Sequence, residues 1–235
     1  MFAIYKREMK VYFISFVAYI FLTVFFLFSG ITYYGSSLGS GTTDLSSTFL
    51  SMFQILIILV PFLSMRLFTE EKSQKTDQLL LTSPVKLTEI VMGKFLAAFS
   101  IFMIGALITL VYAVIMSFYS KVIWPVYFSN LIGILLIGAT FISLGMFISV
   151  FSENQFTAAI FTIVIIFIWT LIDSVYITWG WLSWLNGVIG FLSLYRHYFN
   201  FTIGIFNFTS ILFFLSFCFV FIFLTTRILE KRRWS

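Results

Sequence analysis

The residues Tyr127–Phe151, YFSNLIGILLIGATFISLGMFISVF, form an apolar stretch of 25 residues without one charged side chain. A helix rises 1.5 Å per residue, so about 20 apolar residues cross the hydrocarbon core of a bilayer. The stretch is continuously apolar and lacks the alternation expected of a strand in a membrane barrel. It therefore predicts a membrane-spanning α-helix.

Five further stretches of the chain have the same character. With the first they predict six spans: Val11–Tyr33, Phe49–Phe68, Phe95–Tyr119, Tyr127–Phe151, Phe156–Ile177 and Phe208–Thr226. The first stretch is longer than the apolar region of a signal peptide, and no A-x-A cleavage site follows it, so we expect it to be retained. The predicted fold class is an all-α polytopic membrane protein with six transmembrane helices.

Composition excludes the other broad classes. Of the 235 residues, 61% are apolar and 10% are charged. Soluble domains average about 45–50% apolar and about 25% charged residues. A soluble domain of this length could not cover so much apolar surface. The single cysteine, Cys218, rules out an intrachain disulfide.

The basic residues predict how the spans are oriented. Twelve of the fourteen fall before span one, between spans two and three, or after span six: Lys6, Arg7, Lys10, Arg66, Lys72, Lys75, Lys86, Lys94, Arg227, Lys231, Arg232 and Arg233. Only Lys121 and Arg196 fall on the other side. Because cytoplasmic loops are enriched in Lys and Arg, both termini and the 2–3 and 4–5 loops are predicted to be cytoplasmic.

Two segments outside the spans have an amphipathic or interfacial character. Residues 1–12 place apolar and basic side chains on opposite faces, which favours a helix lying on the inner leaflet over a simple extension of span one. Residues 178–207 are apolar, rich in tryptophan and interrupted by glycines. They predict an external re-entrant helical hairpin between spans five and six.

The segment 69–94, TEEKSQKTDQLLLTSPVKLTEIVMGK, is the most informative polar stretch. Residues 70–82 are good helix formers and end in three leucines, and Ser83-Pro84 then breaks the chain. A short charged helix with a leucine tip predicts a docking element for another protein. The alternative is a solvated connecting loop.

The sequence gives no motif for chemistry in a suitable context. Gly35–Gly39 matches G-x-S-x-G, but it lies in a polar loop between two spans and not at the strand-to-helix turn that the motif needs. The one histidine, His197, cannot supply a two-histidine zinc site and is expected to have a structural role outside. Gly93-Lys94 lacks the first glycine and the Ser or Thr of a phosphate-binding loop. We therefore expect no catalytic activity, no metal, no cofactor bound by this chain and no nucleic-acid partner.

Polar groups inside the spans are few. Gly138, Gly145 and Ser149 share one face of span four and predict close helix packing. Asp173 is the only charge that could lie within the membrane, which argues against an ion-coupled secondary transporter.

These features together resemble an ABC-2-type transporter permease. The local similarity lies in FTEEKSQKTDQLLLTSP, residues 68–84, then Glu89-Ile90-Val91 and Gly93-Lys94-Phe95. The family pattern has Gly before the Thr, where this chain has Lys75. A second similarity, Leu192–Tyr198 with Gly204 and the basic end 227–234, resembles the gliding-motility and nitrous-oxide-reductase maturation permeases.

The resemblance implies a single transmembrane domain over residues 1–235. It implies pairing with a second permease chain, identical or not, and with two ATPase subunits that bind ATP and Mg²⁺. The implied ATPase-coupling residues are Glu70, Glu71, Lys72, Lys75, Thr76, Leu79, Leu80, Pro84 and Glu153. Spans one, two and five would face the partner, which makes Gln54, Thr170 and Asp173 the candidate pathway residues.

The implied function is ATP-driven export of an amphipathic or apolar substrate, a peptide, lipid or drug-like molecule, across a bacterial inner membrane, in contact with membrane lipid. Two alternatives stay open from the sequence. One is a secondary transporter or channel, which would need an inverted repeat or buried charges. The other is a membrane anchor of a complex that transports nothing.

Overall fold

The computed structural model describes residues 1–39, 41, 45–76, 86–119, 121–178 and 190–234, without the side chains of 172–178 and 234. Regular structure in these ranges is helical. The principal helices are α1 (Phe2–Ile14), α2 (Phe16–Tyr33), α3 (Ser46–Ser64), α4 (Arg66–Ser73), α5 (Leu87–Ala106), α6 (Ile108–Tyr119), α7 (Trp124–Phe151), α8 (Gln155–Thr178), α9 (Leu194–Thr202) and α10 (Phe208–Trp234).

Five helical stretches are long and apolar enough to cross a membrane. They are Phe16–Leu38, Ser46–Ser73, Leu87–Tyr119, Trp124–Phe151 and Phe208–Arg233. α8 is a further apolar helix, and its part with described side chains is Gln155–Leu171. In its described parts the chain is therefore an all-helical, multi-pass membrane protein, and each of the six predicted stretches is mostly helical. Span one was expected to begin at Val11, but the chain is extended at Ser15 and the long helix begins at Phe16.

Some of these helices extend beyond the predicted spans. Span two was expected to end at Phe68, but α4 continues α3 as far as Ser73. Span three was expected to begin at Phe95, but α5 begins at Leu87. The sequence-based bounds stop short because they end at charged residues, whereas the structure carries charges within these helices and pairs them with one another.

α7 is the central helix of the bundle. It packs against α3, α4, α5, α8, α9 and α10. Small residues allow these close contacts. A Cβ on Gly138 would overlap the ring of Phe102, and one on Gly145 would overlap Oγ of Ser64. Ser149 is fully buried and donates to the carbonyl of Met146 at 2.6 Å.

α1 is a separate helix from α2. Ser15 between them is extended, with φ −82° and ψ 150°, and its hydroxyl donates to the carbonyl of Tyr12. α1 turns back along the start of α5, where a Cβ on Gly93 would lie 3.0 Å from Cγ2 of Ile4. The predicted helix at residues 1–12 is thus present, and it packs closely on α5.

The described part of the predicted external hairpin is α9 and the residues around it. Tyr198 and Phe201 are fully buried, and the Tyr198 hydroxyl donates to the carbonyl of Phe49 at 2.8 Å. His197 is buried between Oγ of Ser210 and the carbonyl of Phe191, at 3.0 and 3.1 Å. Residues 179–189, with the three tryptophans of the prediction, lie outside the described residues.

Candidate functional site

A buried lysine at the start of α5 is the centre of the site. Lys94 is 2% exposed, although it carries a charge. Its Nζ donates to the carbonyl of Leu67 at 2.6 Å and lies 3.0 Å from Oε1 of Glu71 and 3.3 Å from Oε1 of Glu8. These contacts join α5 to both α4 and α1 through a single ammonium group.

Arg7 completes the cluster from its outer side. Its Nη2 lies 2.6 Å from Oε1 of Glu8 and 3.0 Å from Oε1 of Glu71. Partial burial by itself would lower the pKa of Arg7, but the two carboxylates outweigh it and raise the pKa. We name Arg7, Glu8, Glu71 and Lys94 the charged cluster; it holds two cations and two anions.

Burying charged side chains raises the free energy of the folded protein unless the charges are paired. Transferring an ion from water to the interior costs several kcal/mol, which mutual attraction and additional hydrogen bonds must offset. The side chains of Glu8 and Glu71 are 10% and 16% exposed, so both depend on their cationic partners. Removing one partner therefore costs far more than the cluster contributes as a whole.

A second ion pair connects the joints of α1–α2 and α3–α4. Arg66 donates to Oε2 of Glu70 through Nε at 3.0 Å and through Nη2 at 2.6 Å. It also donates to the hydroxyl of Ser15 and lies 5.4 Å from the centre of the Tyr12 ring. The Tyr12 hydroxyl donates to the carbonyl of Leu63 at 2.8 Å. The bend after α1 is thus tied to the start of α4.

α4 ends abruptly, contrary to the expectation of a helix over residues 70–82. Lys75 has φ +55°, and the N–H groups of Lys75 and Thr76 donate to the carbonyls of Lys72 and Glu71. This is the Schellman ending of a helix, which places a left-handed residue just after the last turn. The family pattern has glycine at this position, so the turn is present although its usual residue is not.

The predicted coupling residues fall into four groups. Glu70 and Glu71 make ion pairs within the chain, and the Thr76 hydroxyl donates to the Glu71 carbonyl at 3.3 Å. Lys72 and Lys75 lie on the last turn of α4 and just beyond it, whereas Leu79, Leu80 and Pro84 lie outside the described residues. Glu153 is exposed in the short turn between α7 and α8.

The candidate pathway residues lie on two adjacent helices. Gln54 is exposed on α3, in line with Ile58 and Phe62, which are also exposed. Thr170 is half-buried on α8, and its hydroxyl donates to the carbonyl of Phe167. Asp173 lies on the same helix, but its side chain is outside the described part. α3 packs against α2, α7 and α8, and Gln54 lies on the side of α3 that stays exposed.

Sequence reasoning missed the charged cluster. Lys94 was counted only as a loop charge and Gly93-Lys94 only as a fragment of a phosphate-binding loop. One signal was present: Glu8 is the sole acid in a basic segment that was expected to be amphipathic. Glu8 pairs with the adjacent Arg7 and with Lys94, which is 86 positions away, so the long-range pairing could not be read from the sequence.

Paired, buried charges lie at one end of a bundle of long apolar helices, as in a multi-pass membrane protein. Residues 5–170 match the family model of the ABC-2 family transporter proteins. Because this covers more than two thirds of the chain, the protein belongs to the ABC-2 transporter family. The matched region includes the whole charged cluster. Comparison with curated proteins finds no significant match.

Proposed function

We propose that this chain is the permease subunit of an ATP-driven exporter. Family membership supports it, and members of such a family work with ABC ATPase subunits. The sequence has no phosphate-binding loop, so ATP and Mg²⁺ would be held by two separate ATPase chains. A second permease chain, identical or related, would complete the transporter. The subgroup of gliding-motility and nitrous-oxide-reductase maturation permeases belongs to the same proposal.

The observation that carries this function is the contact between Lys94 and Glu71. α4 leads directly into residues 77–85, which we propose as the docking segment for the ATPase. Movement of that segment would reach Glu71, then Lys94 on α5 and Glu8 on α1. Because a buried ion pair that loses a partner becomes strongly unfavourable, the three helices would move together.

We further propose that this end of the bundle faces the cytoplasm, in a bacterial inner membrane crossed six times. The terminal amine of Met1 lies 2.8 Å from Oε2 of Glu89, and Arg233 lines a cavity with Lys86. Both termini and the start of α5 are therefore at one end. Twelve basic residues fall in the segments at this end, as a cytoplasmic face requires.

The substrate would be an amphipathic or apolar molecule. Spans with so few charges offer little to a small ion that must give up its hydration. Moving an apolar molecule from water to these spans costs little free energy, because its hydration is already unfavourable. Gln54 lies on the exposed side of α3 between α2 and α8, where a second permease chain would pack and a route could form. Thr170 and Asp173 belong to the same proposal.

The docking step is tested by replacing Leu79 and Leu80 with Asp. The double variant should insert normally but lose co-purification with the ATPase, because each buried leucine would contribute roughly 1.5–3 kcal/mol and the new charges would be desolvated. The matched control, Tyr119→Asp with Lys121→Asp, adds two carboxylates at the opposite end and should keep the complex. Retention of the ATPase by the Leu79–Leu80 variant would show the docking assignment to be wrong.

A further inference from the structure

A groove runs between the start of α5 and the last turns of α10, away from the charged cluster. Its inner part is a cavity of about 350 Å³ lined by Thr88, Met92, Phe219, Ile222, Phe223, Thr226, Arg227 and Glu230. A second cavity of about 340 Å³ is lined by Lys86, Leu87, Thr88, Glu230 and Arg233. Since Thr88 and Glu230 line both, the two cavities form one continuous groove.

The groove changes from apolar to basic along its length. Met92, Phe219, Ile222 and Phe223 form the apolar part, and Lys86, Arg227 and Arg233 stand at the other end. Arg227 pairs with Glu230 at 2.8 Å and lies 4.9 Å from the centre of the Phe223 ring. Within the described residues no ion pair is made by Lys86 or Arg233, so the mouth keeps a net positive charge.

The dimensions suit one leaflet of a bilayer. At 1.5 Å per residue, Phe219 lies roughly 12 Å along the axis of α10 from Arg227. Half of the hydrocarbon core is about 15 Å thick. The apolar part therefore spans most of one leaflet's acyl region, with the unpaired cations at the depth of the head groups.

We propose that this groove binds an anionic phospholipid, with an acyl chain along Met92 and Phe219 and the phosphate at Lys86 and Arg233. Basic pockets between transmembrane helices are the established chemistry for anionic head groups. The acyl chain of the same lipid molecule would then cover the apolar half of the groove. The site lies outside the α2–α3–α8 face and does not depend on the docking of an ATPase.

Native mass spectrometry of the purified chain in detergent tests the proposal. Phosphatidylglycerol and phosphatidylcholine with the same acyl chains are titrated separately, and glycerol 3-phosphate serves as the head group alone. The wild type should bind phosphatidylglycerol at least about fivefold more tightly than phosphatidylcholine, because each nearby basic residue favours the anionic head group. Glycerol 3-phosphate should not displace the lipid, since it lacks the acyl chain.

Two variants separate charge from shape. Lys86→Gln with Arg233→Gln should weaken phosphatidylglycerol binding roughly thirtyfold and remove the preference over phosphatidylcholine. Thr88→Trp, at an exposed position shared by both cavities, should weaken binding of both lipids about tenfold by filling the passage. The control, Lys6→Gln with Lys10→Gln, removes two exposed basic groups from α1 and should leave binding unchanged.

Three results would overturn the proposal. Equal binding of the two lipids would remove the role of the cations. Displacement by glycerol 3-phosphate would make the mouth a free phosphate site. An equal loss in the Lys6–Lys10 control would reduce the effect to general surface charge. None of these measurements involves the ATPase, so a result against the lipid site would leave the proposed exporter function untouched.

Discussion

Nζ of Lys94 on α5 lies 3.0 Å from Oε1 of Glu71 on α4, and the lysine side chain is only 2% exposed. Such a buried ion pair holds the two helices together, because separating it would leave a buried charge without a partner. Glu8 of α1 shares the same ammonium group. The charged cluster thus links α1, α4 and α5 into one packed unit at this end.

The first prediction concerns the stability of this unit. Lys94→Met keeps the length of the side chain but leaves Glu8 and Glu71 with Arg7 alone, so the free energy of unfolding should fall by about 3 kcal/mol. Reversible unfolding in mixed micelles measures the change. Lys10→Met, an exposed lysine on α1, should change stability by less than about 0.5 kcal/mol.

Replacing the two carboxylates together with Lys94 distinguishes a lost partner from lost packing. Glu8→Gln and Glu71→Gln, added to Lys94→Met, should recover most of the stability, because no carboxylate is then left buried without a cation. If Lys94→Met is as stable as Lys10→Met, the buried link described above does not hold the helices together.

The second prediction concerns the end of α4. Lys75 has φ +55°, a conformation that costs a residue with a Cβ about 1 kcal/mol, and glycine avoids this cost. Lys75→Gly should therefore be more stable than Lys75→Ala by about 1 kcal/mol in the same unfolding assay. The alanine variant controls for the loss of charge and of the long side chain.

α9 provides the matched reverse experiment. Gly204 has φ +78°, and the N–H groups of Gly204 and Ile205 close the same two turns on the carbonyls of Phe201 and Asn200. Gly204→Ala should destabilise the protein, and by more than the left-handed backbone alone, since a Cβ there would meet Val126 at 2.9 Å. Equal stability of the glycine and alanine variants at position 75 would contradict the left-handed turn.

The third prediction concerns the packing of α7 on α5. A methyl group on Gly138 would overlap the Phe102 ring, so Gly138→Ala should cost about 1–3 kcal/mol. Adding Phe102→Leu should make the cost of the alanine smaller, and a double-mutant cycle measures this coupling. Gly35→Ala is the control, because a Cβ there meets nothing within 4 Å. Simple additivity of the Gly138 and Phe102 changes would exclude the contact.

The fourth prediction concerns the face of α3 that carries Gln54. In a Cys218→Ser background, Gln54→Cys should cross-link two permease chains in the membrane, because the proposed partner packs on α2, α3 and α8. The control is Val111→Cys, since Val111 is exposed on a different helix, α6. This variant should not form a cross-link. Cross-linking at position 111 with none at position 54 would place the partner on a different face.

The fifth prediction concerns orientation. In the same background, Ser73→Cys at the end of α4 should resist a membrane-impermeant maleimide added from outside, whereas Ser40→Cys should react. The reason is the collection of basic residues at the end of the bundle that contains α4. Labelling of position 73 in intact cells would reverse the proposed topology.

The helices could be predicted from sequence because burial in a membrane is a local property of composition. Tyr127–Phe151 needed no knowledge of its neighbours to be recognised as a helix, and α7 ends at the same Phe151. The pairing of Glu71 with Lys94 could not be predicted. That pairing joins distant parts of the chain, and a single sequence carries no record of which charges meet.

The turn at Lys75 illustrates a different limit. Helix propensity over residues 70–82 favours continuation, and the absence of the expected glycine gave no reason for a stop. The hydrogen bonds that Lys75 and Thr76 donate at the end of the helix offset the cost of the left-handed conformation of Lys75. Tertiary context therefore overrides local preference at the point where α4 leads into the proposed docking segment.

The balance of two cations and two anions in the charged cluster has an electrical consequence. Moving one elementary charge through a membrane potential of 100 mV requires about 2.3 kcal/mol, whereas a neutral group moves without that work. The charges of Arg7, Glu8, Glu71 and Lys94 sum to zero, so a displacement that keeps their contacts carries no net charge of the cluster through the field. The work of moving the cluster is therefore the same in an energised and in a de-energised cell.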